Sequence, residues 1–117
     1  MSSFFICFIK CDFNWQVEAI TNVIKNGIEH SFDDSKIVVD VNDNKVYTKV
    51  DIINYGDEIP ADEINYIFNR FYKGKNTKSD AIGIGLALSK SIIEKNNGNI
   101  SVESSDNKTI FRIKYFK

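Results

Sequence analysis

Apolar and polar residues follow two different periods along this chain, and each period predicts a different kind of element. Between residues 12 and 31 the apolar positions recur at steps of three and four, which places them on one face of a helix. That face comprises Ile20, Val23, Ile24, Gly27 and Ile28. Asp12 or Asn14 can cap the start of this helix, which is predicted to end near Ser31.

Two β-hairpins are predicted from runs that are rich in β-branched and aromatic residues. The first joins residues 36–41 to residues 46–54, and the second joins residues 100–103 to residues 109–115. An Asp-Asn pair, which readily forms turns, lies between the strands in both cases. In the last strand apolar and charged residues alternate, which is typical of a strand with one buried face.

Two further helices are predicted in the second half of the chain. Pro60 and the acidic residues after it begin a short helix to about Arg70, because acidic side chains stabilise a helix N-terminus. A longer helix runs from Gly85 to about Asn96, and the following Asn-Gly pair is a stop signal. This element order predicts a two-layer α/β sandwich with a mixed, mainly antiparallel sheet and helices on one face.

The N-terminal residues 4–10 are predicted to form a buried strand. They are too few to span a bilayer, and they lack the basic region and cleavage site of a signal peptide. Cys7 and Cys11 have no neighbouring Cys or His that would complete a zinc site. Reduced thiols in a cytosolic protein are the favoured interpretation, and a disulfide between the two stays open.

Composition agrees with one ordinary globular domain over residues 1–117. The chain is 43% hydrophobic and 26% charged, and its length allows a core that needs no disulfide or metal. The net charge of −1 does not indicate a nucleic-acid-binding surface.

Four short motifs, each weak alone, follow one another in a specific order. Asn22 and Asn26 lie one helical turn apart on the same side of the first helix. A loop at residues 54–60 and an aromatic segment at residues 67–73 come next. The Gly-Ile-Gly run at residues 83–85 then begins a helix, where free N–H groups and the helix dipole attract phosphate.

This order resembles the catalytic ATP-binding domain of sensor histidine kinases, in the superfamily shared with DNA gyrase, the Hsp90 chaperone and MutL. The resemblance runs from about Asp12 to the C-terminus, and Phe71 and Tyr72 after Phe68 are like the kinases rather than the other branches. It implies the Bergerat ATP-binding fold, which agrees with the predicted element order. It also implies ATP and Mg²⁺ as ligands.

The asparagine pair resembles the N box of that family. The resemblance implies that Asn26 ligates Mg²⁺ through its amide oxygen, a hard ligand that suits this ion. Members that hydrolyse ATP carry a glutamate where this chain has Asn22, and a neutral amide cannot act as a general base. Asn22 is therefore expected to contact the nucleotide and to favour phosphoryl transfer to a protein. Glu18 and Glu29 share this stripe and are candidates to polarise an acceptor histidine; a solvated helix face is the alternative.

The loop at residues 54–60 resembles the G1 box, in which an aspartate accepts a hydrogen bond from the adenine amino group. Asn54 takes that place here, and its neutral amide is expected to bind adenine more weakly by up to about 1–2 kcal/mol. Gly56 is kept, and Ile59 joins these residues in the implied nucleotide site. Glu58 replaces a second glycine and puts a side chain at a site of close backbone approach. An inert turn with left-handed Gly56 is the alternative.

The aromatic segment resembles the F box, whose phenylalanines anchor the loop that covers the nucleotide, here residues 72–83. Phe71 is the nucleotide-binding candidate of this segment. Arg70 and Lys73 are candidates to neutralise the γ-phosphate during transfer, and Lys75 is a further nucleotide contact. A solvated basic loop is the alternative for all three.

The glycine run resembles the G2 box. Its implied phosphate-binding residues are Gly83, Ile84, Gly85 and Leu86. Ala87 replaces the last glycine of the usual pattern, which is a mild change.

The resemblance implies an ATP-dependent protein histidine kinase domain that phosphorylates a histidine on a separate, dimerising helical hairpin. The single histidine of the chain, His30, lies within the N box, so that hairpin is expected in a parent protein. The expected parent is a membrane-anchored bacterial sensor with this domain in the cytoplasm and with no membrane insertion of the domain itself. A response regulator is an indirect partner, and no nucleic acid is expected.

Two other functions stay open at this point. Asn54 and Glu58 motivate a nucleotide-sensing or docking module without catalysis. An ATPase of the gyrase or chaperone type is disfavoured by Asn22, which lacks the basicity to activate water.

Overall fold

A computed structural model of the chain describes residues 13–69 and 85–117. The described elements are α1 (Phe13–Glu29), β1 (Ile37–Asp43), β2 (Tyr47–Tyr55), α2 (Gly85–Lys95), β3 (Gly98–Ser105) and β4 (Lys108–Phe116). Both predicted hairpins and both long helices are therefore confirmed, with ends that differ by a few residues. The strand predicted at residues 4–10, with Cys7 and Cys11, lies outside the described residues.

The four described strands form one sheet in the order β1-β2-β4-β3, and every pairing among them is antiparallel. The β3–β4 hairpin closes through Asp106 (φ 53°) and Asn107 (φ 60°), both in the left-handed region. A two-residue turn of this hand matches the twist of the strands it joins, and Asp and Asn tolerate it. Asn97 (φ 60°) ends α2 in the same conformation.

One face of the sheet carries the core and supports both helices. Ile52 and Phe111 lie opposite each other on β2 and β4 and are almost fully buried. Val23 of α1 and Ile93 of α2 belong to the same buried cluster. The two-layer α/β sandwich with helices on one face is therefore confirmed.

Polar contacts fix the two helices against each other and against the sheet. The Ser89 hydroxyl donates to the Ala19 carbonyl at 2.8 Å, and the Gln16 amide donates to the Ile92 carbonyl at 3.4 Å. Tyr115 of β4 donates its phenolic hydrogen to the Gln16 side-chain oxygen. These bonds place the start of α2 beside the middle of α1.

The short helix predicted between Pro60 and Arg70 is wrong for the described part of that segment. Residues 61–68 form successive turns, in which the amides of Glu63 and Ile64 both bond to the Pro60 carbonyl, at 2.9 and 3.1 Å. A short isolated helix is marginal because nucleation is costly. Tertiary contacts decide instead, since Ile67 is buried and Phe68 packs edge-on against Phe111.

The open face of the sheet carries an ion pair. Arg112 of β4 donates to the opposite Asp51 of β2 through Nε at 2.9 Å. This bond raises the pKa of Arg112 above its ordinary value. In residues 13–69 and 85–117 no helix is long and apolar enough to cross a membrane.

Candidate nucleotide site

The asparagine pair of α1 lies at the edge of the helix layer. Asn22 and Asn26 are each half-buried, and neither side chain hydrogen-bonds to another residue of the described chain. Glu18 and Glu29 are exposed on the same stripe. The helix thus presents two amides without partners among residues 13–69 and 85–117, flanked by two carboxylates.

The first residue of α2 lies beside Asn22. A Cβ added to Gly85 would be 4.0 Å from both Cβ and Cγ of Asn22. The first turn of α2 contains no acidic residue, so its positive end is not neutralised from within the helix. The free N–H groups of that turn and the Asn22 amide therefore border one surface that suits an anion.

Asn54 lies near the end of β2 on the helix-facing side of the sheet. It is 2% exposed and contacts α1 at Gly27, where an added Cβ would be 3.5 Å from Asn54 Cβ and 3.6 Å from its amide oxygen. No described residue hydrogen-bonds to its side chain. Since no fully buried side-chain N or O atom of the described chain lacks a partner, the Asn54 amide reaches the surface and can bond to a ligand there.

Gly56 is explained by close backbone packing. A Cβ at this position would overlap the carbonyl oxygen of His30, which follows the end of α1. Ser31 and Gly56 form an isolated antiparallel bridge, and the Phe32 amide donates to the Tyr55 carbonyl at 2.9 Å. The φ of Gly56 is outside the left-handed region, so the alternative of an inert turn with left-handed Gly56 is wrong.

Glu58 is exposed, and its side chain reaches the β3–β4 turn. Its Oε1 accepts a hydrogen bond from the Asp106 amide at 3.0 Å. The next amide, that of Ile59, donates to the Ser104 hydroxyl at 2.9 Å. The side chain that replaces the second glycine therefore ties the loop to a neighbouring hairpin.

Several predicted site residues lie outside the described part of the chain. They are Arg70, Phe71, Lys73, Lys75, Gly83 and Ile84. Leu86 is described, and it packs half-buried against the core. The described site accordingly consists of the α1 stripe, Asn54, the loop after β2 and the start of α2.

Two residues that contribute to this site were missed by the sequence reasoning. Gly27 was assigned only to the buried helix face, but it is also the place where α1 meets Asn54. Ser104 holds the Ile59 amide and shares a 2.8 Å hydrogen bond with Thr109, which lies opposite Asn54. A glycine inside a helix was a signal for Gly27, whereas no local pattern distinguishes Ser104.

Comparison with known protein families yields a match that includes the residues of this site. A family model described as histidine kinase-, DNA gyrase B-, and HSP90-like ATPase matches residues 12–117. The chain belongs to this family. The matched region contains every predicted site residue, from Glu18 to Leu86.

Individual members of the family agree in sequence and in fold. The sensor protein CzcS of Cupriavidus metallidurans is 37% identical over 101 residues, which is 83% of this chain and 21% of that protein. The mycobacterial sensor histidine kinase MprB has the same fold, with a TM-score of 0.84, 24% identity, and coverage of 92% of this chain and 75% of that one.

The catalytic domain of histidine kinase ThkA gives a TM-score of 0.79 at 26% identity, over 92% of this chain and 70% of that one. The resemblance to histidine kinase catalytic domains is thus confirmed. The chain spans about a fifth of the length of the curated relatives it matches.

Proposed function

We propose that this chain binds Mg²⁺-ATP and transfers the γ-phosphoryl group to a histidine on a separate dimerisation domain. The observation that carries the proposal is Asn54, a residue that is 2% exposed, lies against α1 at Gly27, and has a side-chain amide with no hydrogen bond among the described residues. No fully buried side-chain N or O atom of the described chain lacks a partner, so the Asn54 amide reaches the protein surface, where the edge of an adenine ring can bond to it. Family membership supports a nucleotide as the ligand.

The proposed site has a base end and a phosphate end. Asn54, with Gly56 and Ile59 in the following loop, binds the base. At the other end Asn22 and the first turn of α2, from Gly85 to Leu86, face the phosphates. The 4.0 Å spacing between Asn22 and a Cβ at Gly85 supports this grouping.

Asn26 is the proposed Mg²⁺ ligand. It lies one helical turn beyond Asn22, is half-buried, and its amide makes no hydrogen bond within the described chain. An oxygen of this kind fits a magnesium ion. Bound Mg²⁺ would offset the charge of the phosphates.

Residues in and next to the loop that covers the nucleotide are proposed to complete the phosphate end. Arg70 and Lys73 neutralise the γ-phosphate during transfer. The remaining candidates bind the nucleotide: Phe71, Lys75, Gly83 and Ile84.

The proposed reaction is a direct phosphoryl transfer. An imidazole nitrogen of the acceptor attacks the γ-phosphorus, the bond to the β–γ bridging oxygen breaks, and ADP leaves. The ring proton of the acceptor passes to a base, for which Glu18 and Glu29 are candidates because both are exposed on the asparagine stripe. Catalysis then depends on positioning and electrostatic stabilisation.

The proposed setting is a two-component sensor. Residues 1–117 act as one catalytic domain on the cytoplasmic side of a membrane-anchored parent, whose helical hairpin supplies the acceptor histidine. A response regulator then receives the phosphoryl group from that hairpin. The short coverage of the sensor-protein relatives supports a larger parent.

A docking or nucleotide-sensing module is the second candidate. It is favoured by Asn54, whose amide lacks the negative charge of the family's aspartate and therefore binds an adenine amino group more weakly. Under this candidate the domain binds its helical partner and regulates it without transferring phosphate.

Calorimetric titration of ADP and a non-hydrolysable ATP analogue, with and without Mg²⁺, tests the binding proposal. We expect Asn26→Ala to abolish the gain in affinity from Mg²⁺, and Asn54→Ala to weaken binding at least about tenfold in either condition. Asn54→Asp should tighten binding by up to about tenfold, since the bond becomes charge-assisted. Asn99→Ala, an exposed asparagine on β3, is the matched control.

The transfer step is tested by adding ATP and a dimerising hairpin with an acceptor histidine. Acid-labile, base-stable labelling of the hairpin that requires Asn26 supports the kinase. Nucleotide binding without labelling supports the docking or sensing module. A folded protein that binds no adenine nucleotide overturns the nucleotide-dependent proposals.

A further inference from the structure

Among the described residues, the loop that follows β2 is tied to the β3–β4 hairpin by three hydrogen bonds. The Gly56 amide donates to the Asn107 carbonyl at 3.0 Å, and the Ile59 amide donates to the Ser104 hydroxyl at 2.9 Å. In the opposite direction, the Asp106 amide donates to Glu58 Oε1 at 3.0 Å. The bond to Glu58 is the one in which this loop supplies a side chain.

These bonds connect the loop to the residue that carries the base-binding proposal. Asn54 lies opposite Thr109 in the β2–β4 ladder, and the Thr109 hydroxyl is 2.8 Å from that of Ser104. Ser104 in turn accepts from Ile59. The end of β2, the loop and the hairpin therefore form one connected unit.

The charge of Glu58 suits the turn that it contacts. The turn residues Asp106 and Asn107 both have positive φ, and the Asp106 amide donates to an acceptor outside the hairpin, Glu58. A carboxylate is a stronger acceptor for such an amide than a neutral group. The neighbouring Asp57 is also exposed, but no described residue hydrogen-bonds to its side chain.

We infer that Glu58 is a positioning residue for recognition of the purine base. Through Asp106 it holds the loop in the shape that leaves the Asn54 amide open to the base, so less conformational entropy is lost on binding. This inference rests on the proposed nucleotide-binding function. It assigns a role to the side chain that replaces the second glycine of the family's pattern.

Three variants at position 58 test the inference against a matched control. Glu58→Ala removes the acceptor, Glu58→Gly also restores the residue usual in the family, and Glu58→Gln keeps a neutral acceptor. Asp57→Ala removes the same charge one residue away. Hydrogen exchange of the Asp106 and Ile59 amides is measured without nucleotide, and ADP affinity is measured with and without Mg²⁺.

We expect faster exchange of both amides in Glu58→Ala and Glu58→Gly, and near-normal exchange in Glu58→Gln and Asp57→Ala. ADP affinity should fall about fivefold in the first two variants by the same factor with and without Mg²⁺, because the base end alone is affected. Glu58→Gln should recover most of the affinity. Asp57→Ala should bind ADP at least as well as the unmodified chain, since it removes a negative charge.

The direction of the Glu58→Gly effect is decisive. Tighter binding of ADP would mean that Glu58 obstructs the base, and it would overturn the inference. Unchanged exchange in Glu58→Ala would overturn it as well. If the unmodified chain binds no nucleotide, the proposed function fails together with the role in base recognition, while the exchange measurement still decides whether Glu58 holds the loop.

Discussion

The backbone of Gly27 lies against the side chain of Asn54, so helix α1 and the end of strand β2 meet at a position without a Cβ. An added Cβ would be 3.5 Å from Asn54 Cβ and 3.5 Å from Ile37 Cδ1, which is ordinary van der Waals contact. The space beside Gly27 therefore admits a methyl group and little more.

This contact predicts that Gly27→Ala stabilises the fold. A glycine inside a helix costs about 0.8–1.0 kcal/mol relative to alanine, so we expect the free energy of unfolding to rise by about 0.5–1 kcal/mol. Urea denaturation measures it. ADP affinity should stay within about twofold, whereas Gly27→Leu should displace Asn54 and weaken binding at least about tenfold. If Gly27→Ala were less stable than the unmodified chain, a methyl group would not fit beside Gly27 as the structure indicates.

Substituting alanine for Gly56 is expected to destabilise the fold, in contrast to Gly27→Ala. Because a Cβ there would overlap the His30 carbonyl oxygen, Gly56→Ala must separate the loop from the end of α1. We expect a loss of about 3 kcal/mol in the free energy of unfolding, at the upper end of overpacking effects. Gly85→Ala is the control, since among the described residues the nearest atoms to a Cβ at Gly85 would be those of Asn22, at 4.0 Å. If the two variants were equally stable, the close approach of Gly56 to the His30 carbonyl oxygen would be refuted.

Removing Arg112 is expected to destabilise the fold more than removing its partner Asp51. The Asp51 side chain is 9% exposed and that of Arg112 is 33% exposed. Arg112→Ala leaves a nearly buried carboxylate whose remaining described cation, Lys49, is 3.8 Å away, and it should cost about 1–2 kcal/mol, because this longer contact compensates the charge poorly. Asp51→Ala should cost less, since the guanidinium can reach water. The exposed Lys90–Glu94 pair is the control and should contribute less than about 0.5 kcal/mol.

The Asp43 carboxylate is expected to contribute to the free energy of unfolding, and this contribution should be lost in acid. Hydrogen bonds from Lys117 at 2.7 Å and Thr48 at 2.6 Å lower the pKa of Asp43 below its ordinary value of 3.8. A carboxylate with a depressed pKa stabilises the folded state above the unfolded pKa, and this contribution disappears as pH falls through the folded pKa.

The measurement is denaturant unfolding of the unmodified chain and of Asp43→Asn between about pH 7 and pH 2. The two should differ above about pH 4 and converge as the pH falls below it. Asp57→Asn, which alters an exposed carboxylate with no described partner, serves as the control. A difference that grows on acidification would contradict the direction of the shift.

The local features of the fold were predictable because they depend on residues close together in the chain. The Asp-Asn turn of the second hairpin, the asparagine that ends α2 and the Asn22–Asn26 stripe each follow from short-range backbone preferences. The motif order also indicated the family. The segment 61–68 was mispredicted because its acidic start favours a helix, while packing of Ile67 and Phe68 favours turns.

The two long helices, both hairpins, the family and the candidate polar side chains could all be predicted without coordinates. The contacts of Gly27 with Asn54, of Gly85 with Asn22 and of Glu58 with Asp106 were visible only in the folded chain. Each of these pairs joins residues far apart in the chain. Their contact depends on strand register and on how the helices pack on the sheet, and no local propensity records either.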